Sequence, residues 1–125
     1  MGKLRMTPTL KNKEYVGILV CGGRDYNDKA SVFGILGITF ETLGIQTIIH
    51  GSAKGADSLA DLWAKENGVE VISCPADWGT LGRAAGPARN LKMLQYKPDL
   101  VIAFPGGRGT KDMIDKAKKE GIPII

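Results

Sequence analysis

The sequence predicts an α/β fold: a single Rossmann-like, three-layer domain built on a five-stranded parallel sheet. Three observations predict it. Short apolar runs ended by glycine or proline alternate with helical patterns along the chain, as a parallel sheet covered on both faces requires. The 125 residues, 43% hydrophobic and 24% charged, suit one globular domain with a core of its own. Ten of the 17 glycines (22, 23, 51, 55, 79, 82, 86, 106, 107 and 109) fall in loops that this topology gathers at one end of the sheet.

The elements follow in order. Val16-Gly-Ile-Leu-Val-Cys21 is a buried-strand run stopped by Gly22-Gly23, and residues 28–43 read as a helix. Residues 46–50 form the second strand and 54–66 the second helix, in which Ala56, Leu59, Ala60 and Trp63 recur on one face. The third strand is 69–73. A long loop then runs through Pro75, Gly79 and Gly82 to Gly86, and Pro87 suits the first turn of a helix to about Gln95. The fourth strand is 99–103. A helix spans about 110–120 with Met113, Ile114 and Ala117 inward, Gly121 stops it, and Ile122-Pro-Ile-Ile125 supplies the fifth strand. Right-handed crossovers make 3-2-1-4-5 the economical order, which places Pro123 on an edge strand where a missing N–H is tolerated.

The net charge of +4 is concentrated at one end. Lys3, Arg5, Lys11 and Lys13 precede every acidic residue, and without residues 1–13 the chain holds 13 side chains of each sign. Residues 1–14 therefore read as a basic, flexible tail, able to touch nucleic acid only weakly, and 15–125 as the folded domain. No apolar run approaches the roughly 20 residues that span a bilayer, so no membrane association and a cytoplasmic location are expected. Cys21 and Cys74 have no metal-ligand spacing and sit two strands apart, roughly 10 Å, so they read as reduced, buried thiols with no metal. The helix from Ala30 to Phe40 has only Ser31 and Thr39 as polar side chains. Two readings are open for it: a contact with a second subunit, giving a homo-oligomer through residues 30–43, or deep cover by its own sheet.

In an open parallel sheet the ligand lies at the strand carboxyl ends, where the order reverses. The first strand exits into Gly22-Gly23-Arg24-Asp25-Tyr26 and the fourth into Phe104-Pro105-Gly106-Gly107-Arg108-Gly109-Thr110. The second exits into His50-Gly51-Ser52-Ala53-Lys54-Gly55-Ala56-Asp57. Three glycines in four residues before a helix start let the backbone approach an anion, which the helix dipole and unpaired N–H groups favour. Neither GxxxxGK[ST] nor GxGxxG is present, so Walker-type hydrolysis and the dinucleotide fingerprint are unsupported. Arg24, Lys54, Arg89 and Arg108 fall near these loops and can neutralise phosphate, although an exposed lysine such as Lys54 is as readily a plain solvated charge. Asp57 suits a helix N-terminal turn, His50 is expected to be buried at its strand end, Trp63 belongs to the core, and Trp78 covers the cleft or stacks on a base.

Together, Val20-Cys-Gly-Gly-Arg-Asp-Tyr26, His50-Gly-Ser-Ala-Lys-Gly-Ala-Asp57, Pro75-Ala-Asp-Trp78, Ala85-Gly-Pro-Ala-Arg-Asn90 and Phe104-Pro-Gly-Gly-Arg-Gly-Thr110 resemble the YspA-like branch of the SLOG superfamily, across about residues 15–125. Members of that branch occur in bacteria and phages. The resemblance implies binding of nucleotides or nucleotide-derived ligands such as NAD or ADP-ribose derivatives. A more distant resemblance is to the Lonely Guy phosphoribohydrolases, with their RKxxM and PGGxGTxxE motifs. Arg89 and Met93 match the first, but Asn90 stands at its lysine; residues 105–110 match the second, but Met113 stands at its glutamate. Cleaving a base–ribose bond builds positive charge on the sugar, which a carboxylate stabilises and a thioether does not. Asp112 is one residue earlier, rotated about 100° on a helix. DNA-processing protein A shares a glycine-rich second loop and an Arg-Asn pair like Arg89-Asn90, and that resemblance implies single-stranded DNA binding.

The reading is thus of a ligand-binding domain that senses or sequesters a nucleotide-type molecule and requires no cofactor. Gly22, Gly23, Arg24, Gly51, Lys54, Gly55, Arg89, Asn90, Pro105, Gly106, Gly107, Arg108, Gly109 and Thr110 surround the ligand, with Ser52 and Asp57 orienting a ribose or a second phosphate. The alternatives are a nucleotide N-glycosidase using Arg89 and Asp112, and a single-stranded DNA binder. The latter is disfavoured by the neutral folded body.

Overall fold

The structure, a computed structural model, describes residues 16–125; the basic tail expected over 1–14 lies outside the described residues. Strands β1 (Gly17–Cys21), β2 (Thr47–His50), β3 (Glu70–Ser73) and β4 (Leu100–Ala103) form one parallel sheet in the order β3-β2-β1-β4. Leu19 pairs with Ile49 on one side and Val101 on the other, so β1 is central. Every residue of β1 and β2 is buried, which explains why they read as unbroken apolar runs rather than as alternating strands.

Successive strand side chains point to opposite faces, and β1 divides its residues accordingly. Ile18 and Val20 join Val32 and Leu36 of α1 (Lys29–Leu43) and Ala56, Ala60 and Trp63 of α2 (Ala56–Glu66) in one core layer. Trp63 meets the Phe40 ring edge-on at 5.4 Å. Leu19 and Cys21 face the other layer, with Met93, Leu94, Met113 and Ala117. Its helices are α4 (Ala85–Leu94) and α5 (Arg108–Lys119). The glycine after α1, Gly44, adopts φ 73° and donates to Phe40 O, the left-handed stop that only glycine adopts freely.

Two expectations are corrected. The sheet has four strands, not five. Residues 122–125 lie beside β4, with Val101 N–H donating to Pro123 O and Ile125 N–H to Val101 O, each at 2.9 Å, but they form only an isolated bridge between Val101 and Ile124. Ala103 N–H also donates to Ile125 O at 3.0 Å, but Pro123 has no N–H with which to continue the ladder toward Asp99, so pairing stops on that side. The second correction concerns the expected long loop before Pro87. It contains α3 (Trp78–Leu81), a 3-10 turn (Gly82–Ala84) and the start of α4. Asp77 caps α3 by accepting from Thr80 N–H at 3.1 Å. Pro87 sits in the first turn of α4, where an N–H has no helical partner anyway.

The inner side of α1 is covered by its own domain, through Val32, Leu36 and Thr39. Gly34 and Gly37 face open space, and Ile38 and Leu43 remain exposed. Among the described residues no helix is long and apolar enough to cross a membrane, and no three His, Cys, Asp or Glu are grouped to hold a metal ion.

Candidate functional site: a cleft at the strand carboxyl ends

The loops after all four strands converge on one open cleft of about 1340 Å³. It is framed by glycines that pack loop against loop. Gly23 N–H donates to Pro105 O at 2.8 Å, joining the β1 and β4 loops, and Gly23 O accepts from Ala56 N–H at 3.3 Å, joining β1 to β2. A Cβ on Gly22 would lie 2.6 Å from that of Ala56, and one on Gly106 would strike the Thr110 hydroxyl and lie 2.7 Å from Gly23 N. Gly55 holds φ 76° and ψ −128° at the start of α2, and its Cβ would run into the carbonyl of Gly23. Gly51 lies directly beneath the Arg89 guanidinium, which a Cβ there would push aside.

Gly107 and Gly109 differ: a Cβ on either would meet nothing within 4 Å. They stand where α5 begins, and Gly107, its N-cap, has no side chain to satisfy the first N–H groups. Arg24 and Arg108 flank this helix start, and the 3-10 turn adds Arg83; all three line the cleft. Among the described residues none of the three makes an ion pair. Three uncommitted guanidinium groups and an open helix N-terminus form an anion-attracting wall.

Arg89 is held from both sides. Its Nη1 donates to Gly51 O at 2.6 Å and its Nε to Asn90 Oδ1 at 3.1 Å. Asn90 is 3% exposed and donates through Nδ2 to Gly109 O at 3.1 Å and Asp112 Oδ2 at 3.0 Å. One chain of hydrogen bonds therefore ties the β2 loop to the start of α5. Asp112 lines the cleft, but its second oxygen accepts from Lys116 Nζ at 2.5 Å. Partial burial pushes the Asp112 carboxyl up, and the hydrogen bonds from Lys116 and Asn90 outweigh this, leaving it below the ordinary carboxylate range. Both its oxygens are engaged, an arrangement suited to anchoring Asn90 rather than to taking up a proton.

Asp57 is the opposite case. Only 6% exposed, it accepts from Gly51 N–H at 2.9 Å and Ala53 N–H at 3.2 Å, both through Oδ2. Burial pushes its carboxyl above the ordinary value, against the pull of those N–H groups, His50 and Arg89. A raised folded-state value means the folded chain holds this proton longer than the unfolded chain. The stabilisation it brings is complete below the ordinary carboxylate value and lost as pH rises through the raised one. Urea titrations of wild type and Asp57→Asn across pH 3–8 are therefore expected to show wild type losing stability relative to the variant as pH increases. Cys21, at the cleft floor, has its thiol pushed up to about 12 by burial and by Asp57, with Arg89 pulling the other way, so it is inert.

His50 is buried as expected. Its Nδ1 accepts from Ser52 N–H at 2.9 Å, so Nε2 carries the proton toward Asp61 Oδ1 at 2.8 Å. That contact holds Ser52 at φ 61°, a conformation a serine seldom adopts. Of the expected site residues, Lys54 and Gly55 do not line the cleft: Lys54 is exposed outside it, and Gly55 braces the loops. All the others do. Arg83 was not among the expected site residues, although its loop after the third strand is one of those expected at this end of the sheet. Tyr26, stacked at 5.2 Å on Phe104, and the half-exposed Trp78 give the cleft two aromatic walls.

Residues 16–80 match the family described as YAcAr, the YspA, cpYpsA-related SLOG family. The chain belongs to that family. Among its relatives, this SLOG protein is 36% identical over 117 residues to the Gene 61 protein of Mycobacterium phage D29, covering 86% of this chain and 93% of the relative. DNA processing protein A from Streptococcus pneumoniae shares the fold with a TM-score of 0.71 at 19% identity, over 88% of this chain. This SLOG domain spans about half of that protein, 49% of its length. The Moco carrier protein of Chlamydomonas reinhardtii superposes with a TM-score of 0.62 at 22% identity, over 87% of this chain and 74% of the other.

The Lonely Guy-type glutamate position has a structural answer. Met113 is fully buried between sheet and α5 in the second core layer and does not line the cleft. Met113→Glu is expected to place an unpaired carboxylate in the core and destabilise this SLOG domain by about 3 kcal/mol or more at neutral pH. Thermal melts at pH 4 and pH 7.5 check this, the variant losing more at the higher pH. A stable variant with phosphoribohydrolase activity would contradict it.

Proposed function

We propose that the cleft binds a nucleotide or nucleotide-derived small molecule and holds it without turnover, as a sensor or sequestering protein. The observation that carries this is the convergence of Arg24, Arg83 and Arg108 with the uncapped start of α5 on one concave surface. A phosphate placed there receives backbone N–H groups, three positive charges and the favourable end of a helix dipole. At about 1340 Å³ the cleft exceeds the roughly 300–1,000 Å³ of ordinary ligand pockets, which suits ligands as large as NAD or ADP-ribose derivatives. Tyr26 and Trp78 offer faces on which a base can stack. A carrier protein for the molybdenum cofactor shares the fold, and this supports holding over hydrolysis.

A thermal-shift screen over nucleoside mono- and diphosphates, NAD, ADP-ribose and cyclic dinucleotides tests the reading. Ligand at 100 times its dissociation constant adds roughly 2.7 kcal/mol, a shift of about 8 °C or more for a domain of this size. No shift with any of them at millimolar concentration would refute it. Release of free base from a bound nucleotide, abolished by Arg89→Ala, would instead favour the N-glycosidase alternative.

A further inference from the structure

We propose that Asp57 is the specificity-determining residue of this cleft: its uncommitted carboxylate oxygen accepts hydrogen bonds from ribose hydroxyls and selects ribonucleotides over their deoxygenated counterparts. This rests on the nucleotide reading above and assigns the residue that meets the sugar of the ligand.

The placement of the two carboxylate oxygens carries the inference. Both backbone donors, Gly51 N–H and Ala53 N–H, converge on Oδ2. Oδ1 receives no hydrogen bond among the described residues, and Asp57 makes no ion pair there. No fully buried side-chain oxygen or nitrogen lacks a partner among those residues. Oδ1 therefore keeps an opening, and Asp57 lines the cleft. Arg89 spends Nη1 on Gly51 O and Nε on Asn90 Oδ1, so Asp57 Oδ1 stands in the cleft as an acceptor. A ligand that displaces solvent from it must bring a donor of its own, or the carboxylate is left unsatisfied.

The chemistry of that donor is restricted. A phosphate has only acceptors at neutral pH and is repelled by a carboxylate, so the second-phosphate role left open by the sequence is discarded. The ligand must be anionic where it meets Arg24 and Arg108 and carry neutral donors where it meets Asp57. A ribose 5′-phosphate unit has this polarity, with its 2′- and 3′-hydroxyls facing away from the phosphate. Ser52, beside Asp57 and fixed at φ 61° by His50, adds a hydroxyl that can accept from or donate to the same sugar.

Isothermal titration of the full chain with AMP, 2′,3′-dideoxy-AMP and inorganic phosphate provides the test, on wild type and Asp57→Asn. The asparagine keeps an oxygen for Gly51 and Ala53 N–H and replaces the free oxygen by an NH2 group. Wild type is expected to bind AMP at least about tenfold more tightly than the dideoxy analogue. Asp57→Asn is expected to lower that ratio several-fold, because a neutral NH2 can only donate to the hydroxyls where the carboxylate accepts from them. Equal wild-type binding of AMP and its dideoxy analogue overturns the assignment while leaving the nucleotide site intact, and needs no variant to fold. An undiminished preference for AMP in Asp57→Asn also overturns it. Absence of binding by AMP and phosphate alike refutes the site and the assignment together.

Discussion

Gly55→Ala is expected to destabilise the domain by about 3 kcal/mol or more, lowering its melting temperature by at least about 10 °C. Two separate effects combine. At φ 76° and ψ −128° the backbone lies where only glycine is comfortable, so any side chain is strained even in empty space. The space is not empty: the new methyl would run into Gly23 O and lie 2.6 Å from Arg24 O, both main-chain atoms that cannot rotate away. Relief requires the β1 and β2 loops to separate, breaking the Ala56 N–H to Gly23 O contact. Differential scanning calorimetry checks the prediction. Gly109→Ala is the control, since it lies within α5, its methyl meets nothing within 4 Å, and it should not lower the melting temperature.

Arg89→Ala carries the largest expected effect on binding. Its guanidinium joins Gly51 O to Asn90 Oδ1, so truncation strands two acceptors as well as removing a charge from the cleft. Nucleotide affinity is expected to fall roughly 10- to 100-fold and stability by about 1–3 kcal/mol. Arg89→Lys should not restore binding, because one ammonium cannot reproduce the planar fork that reaches Gly51 and Asn90 in different directions. Calorimetric titration with the best ligand of the screen, beside chemical denaturation, separates the two losses. Unchanged affinity in a folded Arg89→Ala would remove Arg89 from the site.

Much of this architecture was legible because its signals are local. The period of Ala56, Leu59, Ala60 and Trp63 marks α2, and the all-apolar β1 announces a strand covered on both faces. The positions of Gly22, Gly51 and Gly106 at strand exits place the cleft. What escaped depends on contacts between distant residues or on elements too short to have a period. Four residues of α3 make one turn, and its only signature, Asp77 three residues before Thr80, is common in loops. Arg83 went unnoticed for the same reason. The sequence places Pro123 in a fifth, edge strand, whereas its missing N–H leaves residues 122–125 with one isolated bridge to β4. The depth of Asp57 is equally invisible in a linear reading, since burial arises from the Gly51 loop folding back over it. Sequence suggested a phosphate contact for Gly106. In space that glycine mainly makes room for Gly23, and Gly107 and Gly109 present the open backbone.

The latches between the β1, β2 and β4 loops run from main chain to main chain: Gly23 N–H to Pro105 O, Ala56 N–H to Gly23 O. These latches do not involve the side chains that face the ligand space. Arg24, Trp78, Arg83 and Arg108 can be exchanged as a set without loosening them, which makes this small domain a scaffold for retargeting recognition toward new metabolites.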